Sequence, residues 1–303
     1  MTETPSYRGR FAPSPTGPLH FGSLLAAFGS WLLARHAQGE WWVRMEDLDP
    51  PREVAGAATQ QLAALKAFGL HSDGPVAWQG RRSGFYQAAI DRLLAEGKAF
   101  VCHCSRTDLA TNAGIHHQCV GNTRRAKPAI RLRVPADTTV SFEDGLQGNI
   151  TQETGREVGD FVLKRADGLW AYQLAVVVDD AAQGMTDIVR GADLVDSTPR
   201  QILLQRALQL PTPRYLHLPL IVDGNGHKLS KSAAALPVDT RTPLPALRAA
   251  WLALGQDARA LHSAADLPSA LALAIGNFSP LRLPRATSLP LAALHNITDS
   301  NAV

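Results

Sequence analysis

His20, Lys228 and Lys231 are the residues whose surroundings suit them to chemistry on a phosphate chain. His20 stands in the run Arg10-Phe-Ala-Pro-Ser-Pro-Thr-Gly-Pro-Leu-His20-Phe-Gly22, which reads as a strand end, a stiff Pro/Gly loop and a helix opening at Gly22. A helix N-terminus that follows a strand offers free backbone N–H groups and the positive end of the dipole, and an imidazole there adds a donor for a phosphate. Lys228 and Lys231 stand in His227-Lys-Leu-Ser-Lys-Ser232, in a Gly- and Ser-rich loop that supplies mobile positive charge. Alone, the first run is usually a turn and the second a solvated face. In this order, roughly two hundred residues apart, they specify a nucleoside triphosphate held at two places.

A second group of residues suits a metal. Three cysteines and three histidines fall within residues 102–119, as Cys102-His-Cys104 and Gly114-Ile-His116-His117-Gln-Cys119. Structural zinc takes four Cys or His ligands tetrahedrally, so three thiolates and one imidazole complete a set, with His116, His117 and His103 each open as the fourth ligand. The crowding argues against a disulfide framework and for a reducing compartment. Elsewhere, Arg10, Glu46, Tyr172 and Arg190 fall at predicted strand ends on one side of a sheet, although composition alone favours surface ion pairs for Glu46 and Arg190. The Asp179-Asp180 pair reads as a loop or surface feature rather than a metal site.

The elements that must position these groups alternate. Residues 7–11 and 41–45 read as strands, 23–35 as a helix apolar all round, and 54–68 and 83–95 as amphipathic helices closed by Gly69 and Gly97. This βαβα order predicts a doubly wound parallel sheet with ligands at the strand C-termini. A strand starts at 100–102, and an inserted subdomain with strands at 129–134, 138–142 and 146–150 interrupts the pattern. Residues 161–164 and 171–178 are expected back in the main sheet, followed by a strand at 187–190 and a helix at 198–208 capped by Asp196 or Ser197. Residues 216–222 lead to the lysine loop, and two Ala/Leu-rich helices follow from about 243. The 303 residues, 45% hydrophobic and 19% charged, suffice for one large domain with an insertion. The net charge of +3 permits a polyanionic partner. No apolar run reaches 18 residues and the N-terminus lacks a basic and apolar leader pattern, which predicts a cytoplasmic enzyme without a membrane span.

His20-Phe-Gly-Ser23 and Lys228-Leu-Ser-Lys-Ser232 resemble the two signatures of class I aminoacyl-tRNA synthetases, called HIGH and KMSKS. Ser23 replaces the last His of the first signature, a position the glutamyl branch varies. The run Arg10 to Gly17 and Arg44-Met-Glu-Asp-Leu-Asp-Pro-Pro-Arg52 are similar to that branch's own forms. The resemblance implies a Rossmann-type α/β catalytic domain with a zinc-containing insertion and a short C-terminal helical region. Residues 1–101 and 157–232 would form its two halves, 102–156 the acceptor-end-like insertion, and 233–303 stem-contact-like helices and a tail.

The resemblance also implies roles. L-Glutamate would lie among Arg10, Phe11, Ala12, Pro13, Ser14, Glu46, Tyr172 and Arg190. Arg190 would hold its side-chain carboxylate with Arg10 assisting, Glu46 its ammonium, and Tyr172 would close the pocket. ATP would meet His20, Gly22 and Lys231, with Mg²⁺ bridging phosphate oxygens; His20, Lys228 and Lys231 would be the catalytic groups. In short glutamyl-type relatives a Cys-x-Cys pair precedes Gly-Ile-Tyr and a third Cys. Here His116 takes the Tyr position, with one residue fewer before Cys119, so Cys102, Cys104, His116 and Cys119 form the implied structural zinc set.

Only about seventy residues follow Ser232, too few for the anticodon-binding region of ordinary glutamyl enzymes. Over essentially the whole chain, the resemblance is to the truncated paralogues. These activate glutamate without tRNA and transfer it to the queuosine base at the wobble position of tRNA(Asp), as monomers. A minimal enzyme charging the tRNA 3′ end and a non-catalytic nucleotide- or tRNA-binding paralogue are the alternatives. The missing anticodon region weighs against the first, and intact Arg10, His20, Glu46, Arg190 and Lys231 against the second. Lys164, Arg165 and the Arg124-Arg125 pair read as solvated surface, so no RNA-binding face stands out.

Overall fold

The computed structural model describes residues 6–120, 125–226 and 237–290. The chain opens β1 (Arg8–Phe11), α1 (Phe21–His36), β2 (Glu40–Met45), α2 (Ala57–Ala67), β3 (Ala77–Trp78) and α3 (Ser83–Ala95). There follow β4 (Ala99–Cys102), β5 (Ala129–Leu132), β6 (Val140–Asp144), β7 (Gly148–Gln152), the one-turn α4 (Thr154–Glu157) and β8 (Val162–Lys164). The remainder is α5 (Tyr172–Ala182), β9 (Asp187–Gly191), α6 (Thr198–Leu208), β10 (Arg214–Leu218), β11 (Leu220–Val222), α7 (Pro243–Ala253), α8 (Leu267–Asn277) and β12 (Ser288–Pro290).

The main sheet has the order β3-β2-β1-β9-β10-β6-β7, parallel except for the terminal β6–β7 hairpin. Strand order reverses direction between β1 and β9, and such a switch point opens a crevice above the strand C-termini. The apolar α1 is buried from Leu24 to Ala34, Ala26 excepted, between the sheet and α7. Gly29 permits this fit: a Cβ there would sit 2.7 Å from Leu218 Cδ1 and 3.1 Å from Leu254 Cδ2. On the sheet beneath, the buried Trp41 stacks on Phe11 and donates from Nε1 to Ser30 Oγ at 2.9 Å. A second core joins α3, α5 and α6 through Tyr86, Ile90, Val176 and Leu204.

Three expectations are corrected. Residues 171–178 belong to helix α5, not to a sheet strand. A short apolar run does not by itself separate a buried strand from a buried helix, and α5 is buried along its length from Leu174 to Asp180. The strands at 100–102 and 161–164 pair in a separate antiparallel sheet, β4-β5-β8, outside the main one. Conversely, the strands expected at 138–142 and 146–150 within the insertion form β6 and β7, and β6 continues the main sheet beside β10. The helix at 198–208 stands as expected, though Ser197 at its N-cap makes no side-chain capping bond.

Candidate active site and metal cluster

A cleft of about 570 Å³ opens above the switch point, a volume suited to small-molecule ligands. It gathers Arg10, Phe11, Ala12, Pro13, Ser14, His20, Gly22, Glu46, Tyr172 and Arg190 from the ends of β1, β2 and β9 and the starts of α1 and α5. Lys228 and Lys231 lie outside the described residues. The loop after β1 is pinned at several points: Pro13 O accepts from Glu46 N at 2.9 Å and Pro15 O from Val54 N at 2.9 Å. Gln61 of α2, unremarked in the sequence, donates from Nε2 to Ser14 O at 3.0 Å and Gly17 O at 2.7 Å.

His20 caps α1. Its Nδ1 accepts from Ser23 N at 3.3 Å, so Nε2 carries the proton and donates to Ser23 Oγ at 3.0 Å. The variant Ser23 is thus a steadying contact for the imidazole. Gly22 makes room for that ring, since a Cβ there would come within 3.2 Å of His20 Cε1.

Arg10 on the cleft wall and the fully buried Arg44 behind it share one carboxylate. Asp180 Oδ1 accepts from Arg10 Nε at 3.0 Å and from Arg44 Nη1 at 2.6 Å, and Arg44 Nη2 reaches Glu46 Oε1 at 3.2 Å. Burial would raise Asp180, but the Arg10 and Arg44 guanidiniums hold it below the usual carboxylate range. Burial pushes the Glu46 carboxyl up, against the pull of Arg44 and Arg10. The expected surface role of Asp179 and Asp180 is therefore wrong. Both are buried on α5, and Asp179 accepts from Gln79 Nε2 at 2.8 Å, Tyr86 Oη at 2.7 Å and Arg82. Sequence separations of about a hundred residues or more hid these pairings.

Arg190 differs. It is 5% exposed, yet among the described residues no carboxylate lies within 4.0 Å of it. Its hydrogen bonds go to uncharged acceptors: His217 Nε2 at 3.0 Å, Gln201 Oε1 at 2.8 Å, Thr198 Oγ1 at 2.8 Å, Leu194 O at 3.3 Å and Tyr172 Oη at 3.5 Å. A buried cation held only by dipoles is left without a counter-charge, a setting that suits an anion. The two longest contacts leave one weakly engaged N–H on each terminal nitrogen, which is what a carboxylate needs for two-point capture.

Away from the cleft, ligand atoms of Cys102, Cys104, His116 and Cys119 lie within 4.8 Å of one another. His116 Nε2 is 3.3 Å from Cys102 Sγ, while its Nδ1 meets Asp160 Oδ2 at 2.9 Å. A carboxylate behind an imidazole in this way orients the ring toward a metal. His103 Nδ1 instead accepts from Arg125 N at 2.9 Å, and His117 is exposed. Burial, then the neighbouring Cys102 and Cys104, push the Cys119 thiol up to about 11, a repulsion that a cation would cancel. The donor set therefore fits a metal ion.

Sheet order, switch-point cleft and capped helix are those of a class I tRNA synthetase catalytic domain. The family model described as "tRNA synthetases class I (E and Q), catalytic domain" matches residues 6–119 and 111–242. A glutamyl-Q tRNA(Asp) synthetase of Xanthomonas campestris pv. campestris (strain 8004) is 65% identical over 288 residues, 94% of this chain and 96% of its own. One from Pseudomonas putida is 50% identical over 296 residues, 97% and 98% of the two chains. The chain belongs to the class I tRNA synthetases of the E and Q type, in the glutamyl-Q tRNA(Asp) synthetase branch. The crystal structure of a glutamate tRNA ligase from Elizabethkingia meningosepticum CCUG26117, in complex with its amino acid, shares the fold. Its TM-score is 0.78 at 23% identity, over 94% of this chain and 67% of that one.

Proposed function

We propose that this protein uses ATP to activate L-glutamate as glutamyl-adenylate without tRNA, and then transfers glutamate to the queuosine base at the wobble position of tRNA(Asp). The observation that carries the amino-acid half is Arg190, a buried guanidinium facing the cleft with uncharged acceptors around it. In this reading Arg190 takes the side-chain carboxylate, with Arg10 beside it. Glu46 takes the ammonium, and Tyr172 closes the pocket. The backbone of Phe11, Ala12, Pro13 and Ser14 forms the floor. The RNA half rests on relatives of that name that match nearly the whole chain.

The glutamate α-carboxylate attacks the α-phosphorus of ATP and pyrophosphate leaves, so no protein nucleophile is required. The protein aligns the reactants and stabilises the charge that builds on phosphate oxygens. His20, Gly22 and the free N–H groups at the start of α1 address the α-phosphate side. Lys231 and Lys228 follow the charge moving to pyrophosphate, and Mg²⁺ arriving with the nucleotide would supply further charge stabilisation. Cys102, Cys104, His116 and Cys119 would hold structural zinc, which would fix the segment between β4 and β5. The protein acts as a cytoplasmic monomer; among the described residues, no helix is long and apolar enough to cross a membrane.

The test uses labelled glutamate, ATP and Mg²⁺ with tRNA from queuosine-replete and queuosine-lacking cells. Label on queuosine-containing tRNA(Asp) alone is expected. Equal label on tRNA(Glu) from both sources would instead make this an enzyme that charges the tRNA end.

A further inference from the structure

Behind Arg190 stands a buried pair that neither signature announces. Asp144 ends β6 and His217 lies on β10; both side chains are fully buried, and His217 Nδ1 is 2.6 Å from Asp144 Oδ2. Asp144 Oδ1 also accepts from Leu146 N at 3.0 Å, Gln147 N at 2.9 Å and His217 N at 3.3 Å. So tied, an ionised carboxylate accepts only, and the imidazole proton must sit on Nδ1. That leaves Nε2 with a lone pair, and the group 3.0 Å from it is Arg190 Nε, which only donates. Tyr215 stacks on the imidazole with ring centroids 6.3 Å apart and planes within 8°, which fixes its tilt. Burial lowers the His217 basicity against the pull of Asp144, and the Arg190 charge lowers it further, so the ring is neutral as this arrangement requires.

We propose that His217, locked by Asp144 as the Nδ1–H tautomer, is a positioning residue for substrate recognition: by accepting the Nε–H of Arg190 it turns the two terminal nitrogens of that guanidinium toward the cleft. The terminal carboxylate of the bound amino acid then meets a preset fork, and Gln201 and Thr198 complete the cradle from α6. This rests on the reading of Arg190 as the glutamate receptor. His217 touches no substrate atom; it acts through Arg190.

The experiment compares His217→Leu, which removes the acceptor, with His217→Gln, which keeps one at similar reach, in glutamate-dependent pyrophosphate exchange. Expected for His217→Leu is a KM for glutamate raised about tenfold or more, the scale of losing an acceptor for a charged donor, with the KM for ATP unchanged and kcat nearly so. His217→Gln recovers most of that loss. An unchanged glutamate KM in the Leu variant, or kcat and both KM values shifting together in both variants, would overturn the proposal. Should His217→Leu fail to fold, the tautomer decides in the unmodified protein. ¹⁵N correlation spectra of the histidine ring are expected to show a protonated Nδ1 and a bare Nε2, and a protonated Nε2 would overturn the proposal regardless of activity. Absence of exchange by the unmodified protein would instead sink the glutamate reading, and with it the recognition role assigned to His217.

Discussion

Two arginines, Arg10 and Arg190, line the cleft and a third, Arg44, lies buried beside Arg10, and their surroundings differ. Arg10 and Arg44 share the carboxylate of Asp180, with Glu46 also on Arg44, whereas Arg190 is paired with no carboxylate among the described residues. Because lysine offers a point charge in place of a fork, Arg190→Lys is expected to raise the KM for glutamate on the order of a hundredfold while the KM for ATP holds, as read by pyrophosphate exchange. Asp180→Asn has a different signature. Two buried guanidiniums lose their shared counter-charge, and unfolding in urea should show a loss of about 3–5 kcal/mol. Arg10, Glu46 and Arg190 were legible in the sequence because each ends a strand and each matches a family position. Their partners were not: Asp180 lies 170 residues from Arg10 and Asp144 lies 73 from His217, separations over which no local pattern carries pairing information.

At the level of elements, the first signature is a loop held open by its neighbours more than by its own prolines. Gln61 spans from α2 to two of its carbonyls, so Gln61→Leu leaves Ser14 O and Gly17 O short of a donor. That variant should lose about 1–3 kcal/mol of stability and bind ATP more weakly, seen as a lower Tm and a higher KM for ATP. In the segment after β4, Cys119→Ser should release bound zinc on elemental analysis; unchanged metal content would remove Cys119 from the ligand set. Helices were readable where an amphipathic pattern ended in glycine, as in α2 and α3, and in α1 from the length of its apolar run. Such signals failed at Tyr172–Ala182, where a Leu-Ala-Val-Val-Val run fits a buried strand as well as a buried helix until Asp179 and Asp180 find their partners. Sheet membership of β4, β6 and β8 was equally hidden, because hydrogen-bonding partners are chosen by the tertiary fold.

The whole molecule should be acid-sensitive in two stages. His217 is held neutral by burial, so below about pH 6.5 the unfolded chain binds a proton that the native protein resists, and stability falls as pH falls. Asp144 and Asp180 are held below the usual carboxylate range, so their contribution is present above about pH 4 and is lost as pH drops through their folded values. Glu46, pushed up by burial, works in the opposite sense as pH falls toward the ordinary glutamate value, so it offsets part of the first stage and not the second. Urea midpoints measured from pH 7 to pH 5 should decline in the unmodified protein and stay flatter in His217→Gln. The pairing of β11 with β12 reaches further. Leu220, Ile221 and Val222 are bonded in register to Ser288, Leu289 and Pro290, and Val222 precedes Lys228 by only six residues. The rail from which the lysine signature departs is therefore fastened by a strand that follows α8. Trimming the chain back to residue 286 should read out as a lesion of the nucleotide site, although every catalytic candidate would still be present.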